Sequence, residues 1–120
     1  MINVKDEVYK AIKDICGNVS DSYPSQWTNL PAICYTEEDN KVYEWTDGQE
    51  DKSYLRYKID IWNNKSTSKY ALDVDSALSK LGLRRTLCQD VADPSGLKHK
   101  VMRYEGIIDT ATQFMYQNQQ

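Results

Sequence analysis

From Lys52 to Asn63 the side chains alternate, with Leu55, Tyr57, Ile59 and Ile61 on one side and Tyr54, Arg56, Lys58, Asp60 and Trp62 on the other. Successive side chains of a strand point to opposite faces, so this period of two predicts one long strand with a single face turned to a core. The first set is expected to meet helices. In the second set two aromatics frame three charged residues, which reads either as a solvated sheet face or as a surface shared with a neighbouring subunit.

Helical spacing occurs on both sides of that strand. Val4, Val8, Ile12 and Ile15 lie on one stripe, flanked by Tyr9 and Ala11, and predict a helix over Val4–Ile15. Asn3 is placed to cap it, Asp6 and Glu7 fall in its first turn, and Gly17 stands where a left-handed C-terminal cap belongs. Tyr70, Val74, Ala77, Leu78 and Leu81 predict a second helix, opened by Ser66 or Ser68 and closed at Gly82.

The remaining segments read as strands and turns. Ser20 to Asn29 is rich in turn-formers and reads as a loop. Pro31 opens a strand over Ala32–Thr36, Glu37–Asn40 is an acidic turn, and Lys41–Thr46 returns as a strand with Val42 and Glu44 alternating against Tyr43 and Trp45. Asp47-Gly48 begins the connection to the long strand. After the second helix, Leu83–Gln89, the turn Asp93-Pro94-Ser95-Gly96 and His99–Asp109 make a second hairpin. Thr110–Gln120 is expected to extend as a strand or arm that frays at Gln117–Gln120. The expected fold class is α+β: a single domain over residues 1–120, helix–three strands–helix–two strands, with a mainly antiparallel or mixed sheet packed against two helices.

A chain of 120 residues has room for one core and buries roughly two-thirds of the surface its unfolded form exposes. Its net charge of −3 argues against nucleic acid as the main partner, because phosphate affinity rests on clustered Lys and Arg. No stretch approaches the about 18 apolar residues of a membrane span, and the first fifteen or so positions interleave charges with apolar residues, unlike a signal peptide. No membrane partner is expected, and the protein should be made in the cytosol. Nine tyrosines and three tryptophans stand against a single phenylalanine. Aromatics with a polar tip suit surfaces that become buried on assembly as well as cores.

Chemistry is sparse. His99, the single histidine, reads as a solvated or hydrogen-bonded surface residue, since neither a partner nor a pocket is evident for it. Cys16, Cys34 and Cys88 lack metal-ligand spacing and are expected to be buried free thiols. The carboxylates at Glu37, Glu38, Asp39, Glu44, Asp47, Glu50 and Asp51 lack the alternation of a calcium loop and read as solvated turns. An acidic loop tip can nonetheless steer a basic partner. Arg84 and Arg85 could join Lys98, His99 and Lys100 in a basic patch if the last two strands pair; scattered surface charge is the other reading. No catalytic residue, metal ligand or cofactor is assigned.

The opening helix, Tyr23-Pro24, the run Leu30-Pro31-Ala32-Ile33-Cys34-Tyr35-Thr36-Glu37-Glu38-Asp39, the strand around Tyr57–Trp62 and the closing Arg103-Tyr104-Glu105-Gly106-Ile107-Ile108-Asp109 together resemble the tail-terminator (tail-completion) proteins of long-tailed bacteriophages and phage-like particles. The resemblance covers roughly residues 4–109 and rests on layout and loose motifs. It implies a subunit of a hexameric ring at the head-proximal end of the tail tube, which stops polymerisation and offers a docking face to the head. The implied partners are further copies of the chain, the tail tube protein and the head–tail connector or stopper protein. The implied location is the neck of the virion, assembled in the bacterial host cytoplasm. Candidate anchors are Tyr43, Trp45, Arg56 and Trp62, with Glu37, Glu38, Asp39, Arg84 and Arg85 as charged contributors. The alternatives are another neck component, such as a head–tail adaptor or stopper, and, from different classes, a small host binding module or an enzyme.

Overall fold

The computed structural model describes residues 3–109 together with Met115 and Tyr116. Its elements are α1 (Lys5–Ile12), β1 (Val19–Asp21), β2 (Ala32–Thr46), β3 (Gln49–Asn63), α2 (Ser68–Lys80), β4 (Arg84–Val91), β5 (Lys98–Asp109) and β6 (Met115–Tyr116). The strands form one mixed sheet in the order β1-β2-β3-β5-β4. β1 runs parallel to β2, and every other pairing is antiparallel. β6 meets β5 at Ile107 and Ile108, just past the residues that β4 pairs. The fold is α+β, and the long alternating strand is its centre.

The alternation in β3 does what its period demands. Leu55, Tyr57, Ile59 and Ile61 are fully buried and pack with Val8 and Ile12 of α1 and Ala71, Val74 and Leu78 of α2. Ile33 and Tyr35 of β2 and Met102, Tyr104 and Ile108 of β5 complete the same core. Each large aliphatic side chain buried here contributes about 1.5–3 kcal/mol relative to exposure. Two core tyrosines bring a hydroxyl that must be satisfied. Tyr57 donates to Glu37 Oε1 at 2.7 Å and Tyr104 donates to Asp75 Oδ1 at 2.8 Å. Burial, reinforced by these carboxylates, pushes both phenols well above the usual tyrosine range, so they stay protonated and remain donors.

The structure departs from the sequence reading in several places. The helix at the start ends at Ile12 rather than Ile15, and its N-cap position is Val4, although Asn3 Oδ1 accepts a hydrogen bond from the Lys5 amide at 2.9 Å. β1 lies partly inside the segment expected to be a loop; three residues are too few to show a period. The N-cap of α2 is Thr67, and the Ser66 hydroxyl oxygen instead accepts a hydrogen bond from the Ser68 amide. Met115–Tyr116 is a strand, while the rest of the expected C-terminal arm lies outside the described residues.

The largest correction concerns the acidic turn. Glu37–Asn40 is not a turn: the chain runs through it as part of β2, with register shifts against β3 between Glu37 and Asp39 and again between Val42 and Trp45. Carboxylates signal a turn when water is their only partner, but here Glu37 takes the Tyr57 phenol and Glu38 takes two arginines. The strand bulges and continues. The true hairpin turn is Asp47-Gly48, whose φ values of 52° and 75° are the positive pair that a tight two-residue hairpin requires. The two strands expected before β3 are therefore one.

Candidate functional site

The bulged strand and the tight turn together create an arm. β1 pairs with β2 only at Ile33–Tyr35, so beyond that point no strand lies along the outer edge of β2 among the described residues. On the other side, among the described residues, β5 accompanies β3 as far as Lys52. Among those residues the hairpin end, the turn Asp47-Gly48 with Gln49, Glu50 and Asp51, therefore extends past the end of β5. Lys52 Nζ and Glu44 Oε1, 3.1 Å apart, tie its two strands, and Lys41 Nζ lies 4.9 Å from the Tyr54 ring centroid.

Toward the turn β2 bears Val42, Tyr43 and Trp45, with Tyr43 51% and Trp45 60% exposed; Trp45, opposite Glu50, lies past the β3 residues that β5 pairs, and Val42, opposite Ser53, does not. Exposed aromatic side chains here are a surface that association would desolvate. The long free edge beside them is charged and bulged, carrying Glu37, Glu38, Asp39, Lys41 and Glu44. These are the devices that discourage indiscriminate strand addition. The arrangement favours contact through side chains at the tip over extension of the sheet.

Glu38, Arg56 and Arg84 occupy the sheet face away from the helices, where charges pair, whereas Arg85 turns to Asp75 of α2 and Glu37 to the core phenol of Tyr57. Arg56 Nε lies 3.3 Å from Glu38 Oε1, and Arg103 reaches both Glu38 oxygens at 2.9 and 3.3 Å. Burial pushes the Glu38 carboxyl up, but the bonded Arg103 guanidinium and the charge of Arg56 outweigh it and hold the group below the usual range. Glu105 accepts from Tyr54 at 2.6 Å and from Arg84 at 3.0 Å, while Arg85 pairs with Asp75 at 3.4 Å. Asp39 pairs with Lys41. Pairs as exposed as these are worth about 0–1 kcal/mol each; they keep the face polar.

The basic patch does not form as one surface. β4 and β5 do pair, but the antiparallel register sets Arg84 opposite Glu105 and Asp90 opposite Lys100, so the arginines and the Lys98–Lys100 run lie at opposite ends. Lys100 is itself paired with Asp90 at 3.0 Å.

Trp62 is not on an open face, and of the two readings of His99 the hydrogen-bonded one holds. Trp62 is only 8% exposed: Trp27 packs edge-on against it at 5.0 Å and His99 stacks on it at 4.4 Å. The His99 side chain is 13% exposed, with Nε2 2.8 Å from Asp60 Oδ1 and Nδ1 3.7 Å from Asp93 Oδ2. Asp93 also accepts the Trp62 indole N–H at 2.8 Å. Asp60 could not be read as the partner of His99 because it lies on another strand, and Asp93 approaches it only through the fold of the β4–β5 turn. Trp62 opposite His99 follows only from the β3–β5 register.

Of the three cysteines Cys34 is buried, Cys16 half-buried and Cys88 exposed, which corrects the expectation that all would be buried. Burial pushes the Cys34 thiol up to about 12, leaving it protonated and unreactive at neutral pH. Among the described residues no cluster of His, Cys, Asp and Glu is arranged to hold a metal ion, and no helix is long and apolar enough to cross a membrane. No protein-family model matches the chain, and no curated protein matches its sequence.

Proposed function

We propose that this chain is a structural subunit that caps the head-proximal end of a phage-type tail tube as a ring, stopping tube growth and providing the surface on which the head docks. The observation that carries the reading is the β2–β3 hairpin with Val42, Tyr43 and Trp45 exposed toward its turn. A closed ring requires each subunit to present an anchor to a neighbour, and paired strands closed by a two-residue turn hold these side chains at little further cost in backbone entropy. The resemblance in layout over residues 4–109 supplies the identity of the assembly. The partners on this reading are neighbouring copies, the tube protein and the head–tail connector.

The deciding experiment is the tail-length distribution in particles made without this gene, by negative-stain electron microscopy. Overlong or ragged tails detached from heads are expected. Tails of normal length that fail to join heads would place the protein on the head side of the neck, and normal particles would discard the phage reading.

A further inference from the structure

At the end of the sheet remote from the hairpin, Tyr23, Trp27, Trp62, Asp93, Pro94 and Ser95 line an open groove of about 540 Å³. Tyr23 and Trp27 meet edge-to-face at 5.5 Å, are 63% and 37% exposed, and offer ring surface to an incoming group. Trp62 forms the floor, since Trp27 and His99 already cover its ring. Asp93 is the single charged residue among these lining residues.

Both walls are fixed before anything binds. The loop bearing Tyr23 and Trp27 is held by buried Asn18, whose Nδ2 donates to the carbonyls of Gln26 and Asn29, each at 2.8 Å. The Ser22 amide is bonded to the Tyr35 carbonyl at 2.9 Å. Opposite, Asp93 Oδ1 accepts from the Ser95 amide at 2.9 Å and the Ser95 hydroxyl at 2.6 Å, and Oδ2 accepts from Trp62. These bonds to Ser95, with that from Trp62, hold the Asp93 carboxyl down at about 2, so it is anionic throughout the physiological range. An ionised carboxylate accepts about four hydrogen bonds. Its three hydrogen-bond donors are neutral, and His99 Nδ1, 3.7 Å from Oδ2, stands beyond hydrogen-bond distance, which leaves acceptor capacity for a further donor.

We propose that this groove binds an arginine side chain presented by a partner protein. The match is chemical. A guanidinium is planar, so it can lie on the exposed Trp27 or Tyr23 ring through a cation–π contact while an edge N–H reaches Asp93. A lysine offers a point charge without the stacking plane, and an apolar or proline-rich segment leaves the carboxylate without a partner. The volume falls within the range of pockets that take small groups, and accommodates the side chain with its flanking backbone. This proposal is independent of the tail reading: it concerns the opposite end of the sheet and is tested without particles.

The test uses the full chain and three capped pentapeptides: Gly-Gly-Arg-Gly-Gly, the same sequence with citrulline, which keeps the shape and removes the charge, and one with a central Pro-Pro. The tryptophan indole N–H signals are followed by NMR as each is added. The arginine peptide is expected to shift the Trp27 and Trp62 signals saturably and to bind about tenfold more tightly than the citrulline peptide, from the charge-dependent contacts alone. Tyr23→Ala, at an exposed ring, and Asp93→Asn should each weaken that binding severalfold while leaving the backbone spectrum folded. Equal binding of arginine and citrulline, tighter binding of the proline peptide, or no saturable shift would each overturn the proposal.

Discussion

The two ends of the β2–β3 pair carry the same kind of residue and opposite environments. At the turn end Trp45 is 60% exposed on an arm with no strand outside it among the described residues; at the other end Trp62, on the same pair of strands, is sealed by Trp27 and His99. The strands do not make this difference. It comes from chain delivered from elsewhere: the loop after β1, pinned by Asn18, and the β4–β5 connection, pinned through Asp93. A tryptophan on a sheet face is therefore a core residue or an anchor according to what the rest of the chain lays over it.

Trp62→Ala gives the sharpest contrast. Removing a side chain this buried should cost about 3–5 kcal/mol of folding stability, measured by urea denaturation. A cost below about 0.5 kcal/mol, the range of ordinary surface positions, would mean that the closed end is not closed in solution and would erase the comparison. Next in size is Asn18→Ala, which strands the Gln26 and Asn29 carbonyls and should cost about 1–3 kcal/mol. It should also raise hydrogen exchange in the loop bearing Trp27 while leaving the hairpin end unchanged. Equal effects at both ends would show that Asn18 acts through the whole fold.

How far the sequence could be read follows the same division. The core face of β3 and the two helical stripes were legible because each is written in consecutive residues with a clear period: Leu55 to Ile61, Val4 to Ile12, Tyr70 to Leu81. The acidic stretch Glu37–Asn40 misled because turn chemistry is judged locally, whereas Tyr57, Arg56 and Arg103, which satisfy its carboxylates, come from other strands. Asp60 as the partner of His99 was illegible for the same reason. Tyr43 and Trp45 are exposed and Trp62 is buried, a difference that nothing in the sequence marked. The groove around Trp27 and Asp93 was invisible because its walls lie far apart in the chain and meet at Trp62 only through the β2–β3 and β3–β5 registers.

A third difference between the ends is electrostatic. Asp93 is held at about 2 against an ordinary 3.8, first by the Ser95 hydroxyl and amide and then by the Trp62 indole. A depressed carboxylate stabilises the fold fully above its unfolded value and loses that contribution as pH falls through the folded one. Thermal melts of the wild type should therefore decline between pH 3.8 and about 2 in part because of this group, and Asp93→Asn should make that decline shallower. An unchanged slope would show that the hydrogen bonds around Asp93 do not persist in solution, leaving Trp62 covered by apolar packing alone.

The smallest expected effect on folding is the most telling for function. Trp45→Ala removes a ring that is 60% exposed on an arm clear of the core, so stability should change by no more than about 0.5 kcal/mol. If Trp45 is an anchor, the same substitution should weaken association by about 2 kcal/mol or more, roughly thirtyfold, as truncation of a central interface aromatic does. Urea denaturation supplies the first quantity, and sedimentation of the chain alone and with purified tail tubes supplies the second. Loss of association at unchanged stability is the signature of a surface built for a partner. Loss of both in proportion would mean that the arm folds back onto its own sheet in solution, and the two ends would then differ in degree only. If neither changes, the ring contact must be sought on the paired charges of Glu38, Arg56 and Arg103, where salt sensitivity would replace apolar burial as the mark of the interface.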